Sequence, residues 1–187
     1  MTVPEAWPGV GRPFTVAELD RMPDDGHRYE LVDGVLIVSP RPTMIHQFVA
    51  FQIAKMLDDA CPSDLCVLPE PAVELGPQTE FDPDVVVISK RQVQGAKMTE
   101  PPLLAIEVRS PSTALVDLNR KKSAHEKFGV PSYWIVNPDL TQPELTVFEL
   151  RDGRYETVAR TTAPVTVERP FRVTVDPSCL TRGLRPQ

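Results

Sequence analysis

The sequence predicts an α/β (α+β) fold, and three observations carry that expectation. Two short apolar runs, Val85-Val86-Val87-Ile88 and Leu103-Leu104-Ala105-Ile106, have the pattern of inner strands covered on both faces. Around His46 to Leu57, the residues Ile45, Phe48, Val49, Ile53, Met56 and Leu57 recur at helical spacing, so an amphipathic helix should pack on the sheet. Asp33-Gly34, set between Tyr29–Val32 and Val35–Val38, is the strongest short hairpin signal in the chain.

The remaining elements follow in order. The stretch from Met1 to Pro13, interrupted every few residues by Pro or Gly, reads as an irregular arm. Thr15 with Glu18 three residues on is a capping-box pattern, which predicts a short helix over Val16–Met22 ended by Pro23-Asp24-Asp25-Gly26. The amphipathic helix should stop near Cys61-Pro62. Cys66–Leu68 and Ala72–Leu75 read as one strand interrupted at Pro69-Glu70-Pro71, suited to an edge or a bulge. Gly76–Phe81 reads as a turn and Ser89–Pro102 as a polar loop.

Ser112 or Thr113 can cap a helix running through Phe128, closed by Gly129 and Pro131. Tyr133–Val136, Leu145–Leu150 and Tyr155–Ala159 then look like successive strands, with Asp152-Gly153 turning the last pair. One more strand is expected at Arg172–Val175. The whole chain, 1–187, is expected to be one domain with its core over about 14–159 and an extension over 160–187.

Length and composition bound the function. The chain has 187 residues, 41% hydrophobic and 25% charged, enough to bury a core without disulfides. Its 21 prolines cluster at segment ends and stiffen loops. A net charge of -6 argues against coating nucleic acid by bulk electrostatics, though a metal-binding site tolerates it. Three cysteines, Cys61, Cys66 and Cys179, lack metal-ligand spacing and read as reduced thiols, so a cytoplasmic protein is expected. No apolar run reaches membrane-spanning length, and no membrane partner is expected. There is no phosphate-binding Gly-rich loop, no nucleophile-elbow serine, no His-Glu-x-x-His and no paired CxxC. Ser110-Pro111-Ser112 is better explained as a helix entry than as a nucleophile.

The chemistry gathers between Pro83 and Pro138. Asp84 opens one apolar run and Glu107 closes the next, so two carboxylates stand at the ends of two candidate buried strands. Such groups are costly unless a cation pairs with them. A divalent metal with a lysine nearby is the economical explanation. A bland reading stands beside it: Asp84 capping a turn, and Glu107 in an inert pair with Arg109 or Lys121. Asp117 and Lys121 lie four apart on the following helix, with His125 one step further along the same face.

Pro83-Asp84, Glu107-Val108-Arg109-Ser110-Pro111-Ser112, Asp117 with Lys121, and Gly129-Val130-Pro131-Ser132-Tyr133-Trp134-Ile135-Val136-Asn137-Pro138 resemble the Uma-type family of the restriction-endonuclease-like, PD-(D/E)XK superfamily. Tyr29-Glu30-Leu31-Val32-Asp33-Gly34 and Ser39-Pro40 followed by His46-Gln47 extend the resemblance over about Phe14 to Ala159. It implies a mixed central β-sheet flanked by helices, with an extra antiparallel β-extension. It also implies a metal-dependent endonuclease acting on phosphodiester bonds of nucleic acid, DNA before RNA, as a homodimer.

In that pattern Asp84, Glu107 and the backbone carbonyl of Val108 hold Mg2+ or Mn2+. Lys121 takes the place of the lysine that the superfamily usually has at the position of Arg109. An arginine there can orient phosphate but cannot act as a base. Lys122 is the fallback for Lys121. Glu30 matches an acidic residue that precedes the core and touches metal through water. His46 could contact phosphate or polarise Glu30, or simply cap its helix, and His125 stands where the family commonly has tyrosine. The other reading is a catalytically inactive nuclease-like module that binds nucleic acid or a protein partner.

Overall fold

The structure, a computed structural model, describes residues 11–110 and 115–184, with backbone alone for 115–118. Most of the N-terminal arm, the Ser112/Thr113 cap and the Asp117 side chain lie outside the described residues. In order, the elements are α1 (Val16–Leu19), β1 (His27–Val32), β2 (Val35–Pro40), α2 (Met44–Ala60), β3 (Leu65–Pro69), β4 (Val73–Glu74), β5 (Glu80–Phe81), β6 (Val85–Ser89) and β7 (Leu104–Val108). They continue with α3 (Leu115–Phe128), β8 (Ser132–Asn137), β9 (Glu144–Arg151), β10 (Arg154–Thr161), β11 (Val165–Val167), β12 (Val173–Val175) and α4 (Pro177–Leu180).

The main sheet has the order β10-β9-β8-β7-β6-β3. β7 and β8 run parallel, and the other neighbours are antiparallel. A parallel pair needs a crossover, and α3 provides it. This is the mixed sheet with an antiparallel extension, β9–β10, that the resemblance implied. A second sheet, β2-β1-β5-β4, and a ribbon, β11-β12, complete the strands.

The apolar runs split cleanly by period two. Val85, Val87, Leu104, Ile106, Trp134 and Val136 pack with Val49, Ile53 and Leu57 of α2, Val173 and Val175 of β12, and Leu180 of α4. The alternate residues Val86, Ile88, Ala105 and Tyr133 face a second core with Val73 of β4 and Phe148 of β9. On the small sheet, Val32, Ile37 and Phe81 pack against Ala124 of α3. Both faces of the main sheet are therefore covered, which is why its inner strands carry no polar alternation.

Asp33 and Gly34 both have positive φ, 49° and 75°, as the hairpin turn requires. A Cβ on Gly34 would stand 2.5 Å from Pro13 Cβ, so the turn also needs the missing side chain. Thr43 caps α2 by accepting from the His46 N–H. Gly129, at φ 82°, closes α3.

Some elements differ from expectation. The segment read as one strand across Pro69-Glu70-Pro71 is two strands in different sheets, β3 beside β6 and β4 beside β5. Glu70, at φ 46°, turns the chain between them. The expected turn Gly76–Phe81 ends in β5, two residues paired with both β1 and β4. β11 and α4 were not foreseen, being three and four residues long with no period to read. α1 is one turn, shorter than Val16–Met22.

Candidate active site

The register Val85↔Ile106, carried back one residue, sets Asp84 opposite Glu107. Alternation places them with Val86 and Ala105, toward the layer of α3 and the small sheet. Both are nearly sealed, at 2% and 4% exposure. β1 brings Arg28 and Glu30, two residues apart and so on one side of the strand. α3 brings Lys121 and His125, four apart on one helical face. α2 brings His46 from the far layer to the end of β6.

These side chains form one connected cluster. Lys121 Nζ donates to Glu30 Oε1 at 2.7 Å and to Glu107 Oε2 at 3.3 Å. Glu30 Oε1 also accepts from the Asp82 N–H at 3.0 Å. Asp84 Oδ2 accepts from the Val108 N–H at 2.7 Å and lies 3.1 Å from His46 Nε2. Arg28 closes the ring, with Nη1 3.5 Å from Asp84 Oδ1 and Nη2 3.8 Å from Glu30 Oε1. Its Nη2 also donates to the Asp82 carbonyl.

The charges tune one another. Burial works against the Lys121 ammonium, but Glu107 and Glu30 outweigh it and raise its pKa. Burial pushes Glu30 up, yet Lys121 and Arg28 hold it below the usual carboxylate range. Asp84 is likewise lowered against its burial by His46 and the Val108 N–H. His46 is raised, because Asp84 overcomes the effect of burial. Burial pushes the Asp82 carboxyl up to about 6, with Arg28 pulling the other way. His125 is sealed between Phe81 and Tyr133, and burial lowers its pKa.

Of the residues singled out in the sequence, the cluster contains Asp84, Glu107, Lys121, Glu30 and His46, with Val108 present through its N–H. His46 meets Asp84 and not Glu30. Arg109 is not brought in: its N–H donates to Val136, and its residue lines a separate cleft with Asn119, Asn137 and Glu144. Among the described residues no ion pair ties it to Asp84 or Glu107. Lys122 lies 4.0 Å over the Phe148 ring, away from the cluster. Sequence reasoning missed Arg28 and Asp82. The alternation Arg28/Glu30 in β1, and the second acid in Asp82-Pro83-Asp84, were the available signals.

Glu107 Oε1 is buried without a hydrogen-bond partner among the described residues, and His125 Nε2 stands 3.9 Å away. Around it Glu30, Asp82, Asp84 and Glu107 face Arg28, Lys121 and His46, so acids exceed permanent cations. Among the described residues no three acidic, imidazole or thiol groups are placed so that together they could hold a metal ion. Asp84 and Glu107 are hard oxygen donors of the kind that a magnesium-type cation takes, commonly one or two carboxylates with the rest of the shell from water and substrate phosphate. On the α2 side a groove of about 400 Å³, lined by Gln47, Phe51, Lys55, Pro69 and Glu70, reaches Asp84.

Comparison with known proteins agrees with this architecture. A crystal structure from Anabaena variabilis, described as a "putative nuclease belonging to DUF820", superposes with a TM-score of 0.72 at 17% identity, covering 90% of this chain and 98% of that one. No curated protein matches significantly. The model of the Uma2 family, described as "Putative restriction endonuclease", matches residues 16–177, a span that holds every member of the cluster. By that match the chain belongs to the Uma2 family.

Proposed function

We propose that the chain is a metal-dependent endonuclease hydrolysing phosphodiester bonds of nucleic acid, DNA before RNA. Asp84, Glu107 and the Val108 carbonyl would hold Mg2+ or Mn2+. The observation that supports this most is the open oxygen of Glu107, buried in a cluster where acids exceed fixed cations. A bound divalent cation would polarise the phosphodiester and make water a better nucleophile.

The chain's own residues do the rest. His46 and the Val108 N–H engage Asp84 Oδ2, which leaves Oδ1 to turn toward a cation. Lys121, kept charged by Glu107 and Glu30, is suited to orient water and to steady developing negative charge, and is a poor proton acceptor. Glu30 fixes the Lys121 ammonium in place. The groove past Phe51 and Lys55 gives a strand a path to Asp84.

Asp84→Asn or Glu107→Gln should lower manganese-stimulated cleavage of plasmid DNA by about 10²–10³-fold while the melting transition persists. Cleavage at the wild-type rate by either variant would remove the assignment. Cutting both strands of a duplex calls for two sites, so the reading includes a homodimer. Sedimentation at a monomer's mass under conditions that cut duplex would count against it.

A further inference from the structure

Arg28 is the cation of this cluster nearest to solvent. Its side chain is 17% exposed, against 7% for both Lys121 and His46. It also differs in how it is held. Charge-assisted pairs close to about 2.7–2.9 Å when they are made for one another. Lys121 meets Glu30 at 2.7 Å. Arg28 stands 3.5 Å from Asp84, 3.7 Å from Asp82, 3.8 Å from Glu30 and 4.0 Å from Glu70. Its close hydrogen bond goes to a neutral acceptor, the Asp82 carbonyl. The guanidinium thus neutralises several acids without a tight, two-pronged pair to any one of them.

The oxygens of Asp84 divide the same way. Oδ2 is engaged by His46 and the Val108 N–H. Oδ1 faces Arg28, and it is the oxygen left for a metal ion. A divalent cation arriving there meets a fixed positive charge already drawing on the same atom. The guanidinium, planar and forked, is well matched to a phosphodiester, which would give it a new anion once it leaves Asp84.

We propose that Arg28 is a tethered counter-ion that competes with the divalent cation for Asp84 and gives way when a phosphodiester takes its guanidinium, so that metal and nucleic acid bind cooperatively. The inference rests on the metal-site reading above. Cooperativity of this kind is reciprocal: the factor by which the strand tightens metal binding is the factor by which metal tightens strand binding. Lys121 cannot serve, being locked between Glu30 and Glu107.

Calorimetric titration of the full chain with manganese, alone and with a phosphorothioate DNA hexanucleotide that resists hydrolysis, tests this. Wild type should bind manganese at least about tenfold tighter with the hexanucleotide. Arg28→Met should bind manganese at least about tenfold tighter than wild type without it, and gain little on its addition. Melting curves should show a larger manganese-induced rise for Arg28→Met than for wild type.

Arg28→Lys keeps the charge and the fold but lacks the fork, so its manganese affinity alone should match wild type while the gain from the hexanucleotide shrinks. This variant decides the matter if Arg28→Met does not melt cooperatively. Manganese affinity unchanged in Arg28→Met, a full gain kept in Arg28→Lys, or no gain in wild type would each overturn the proposal. Asp84→Asn separates the two readings. If it loses manganese binding while Arg28→Met matches wild type, the competition is wrong and the metal site stands. If it binds like wild type, the metal site itself is wrong and the competition falls with it.

Discussion

Lys121 is the residue on which the cluster's balance turns. It is almost wholly buried and bonds two carboxylates, Glu30 and Glu107, the second of which has an oxygen without a hydrogen-bond partner among the described residues. Removing one partner of a buried pair leaves an uncompensated charge, so Lys121→Met should cost about 3–5 kcal/mol in urea denaturation. Adding Glu30→Gln to that variant should recover part of the loss, and a double variant no better than the single would refute the coupling. Asp84 and Glu107 were legible in the sequence because they stand at the ends of apolar runs, and Lys121 because the family resemblance puts a lysine at its place on the helix that follows. Arg28 was not, because its partners Asp82 and Asp84 lie more than fifty residues away and are reached only once β1 docks beside β5.

Elements show the same division. α2 declares itself by period, α3 by its end signals, and the inner strands β6, β7 and β8 by unbroken apolar runs. β5 and β11 hold too few residues to show a period, and their pairing is set by the partners they meet. The single turn of α1 is tied by its cap. Glu18 accepts from the Thr15 N–H at 3.0 Å and the Thr15 hydroxyl at 2.9 Å, and pairs with Arg12. The Arg12 and Thr15 hydrogen bonds hold Glu18 at about 2, against an ordinary 4.5. A lowered folded-state pKa adds stability above the ordinary value and loses it as pH falls toward the folded one. Melting temperature followed from pH 6 down to about 2.5 should therefore fall less steeply below pH 4.5 in Glu18→Gln than in wild type. Parallel curves would place the Glu18 contacts outside the stability of the fold.

At the scale of the whole molecule, the cluster belongs to no single layer. The main sheet gives Asp84 and Glu107, the small sheet gives Arg28 and Glu30, α3 gives Lys121 and α2 gives His46. Among the described residues no helix is long and apolar enough to cross a membrane. The net charge of -6 leaves productive contact with a polyanion to local features of the cluster and its groove.

Lys121, on α3, bonds Glu30 of the small sheet and Glu107 of the main sheet, and this bears on the order in which the molecule comes apart. The β1–β2 hairpin pairs with the rest of the small sheet through the two-residue strand β5 and is tied further by the Lys121 ammonium, by Arg28 and by the packing of Val32 and Ile37 on Ala124, while β6, β7 and β8 are paired on both sides. Deuterium should enter the amides of Tyr29–Ile37 ahead of those of Val85–Ile88, and Glu30→Gln should widen the interval while leaving the inner strands slow. Equal exchange in both segments would mean that the hairpin and the main sheet open as one piece.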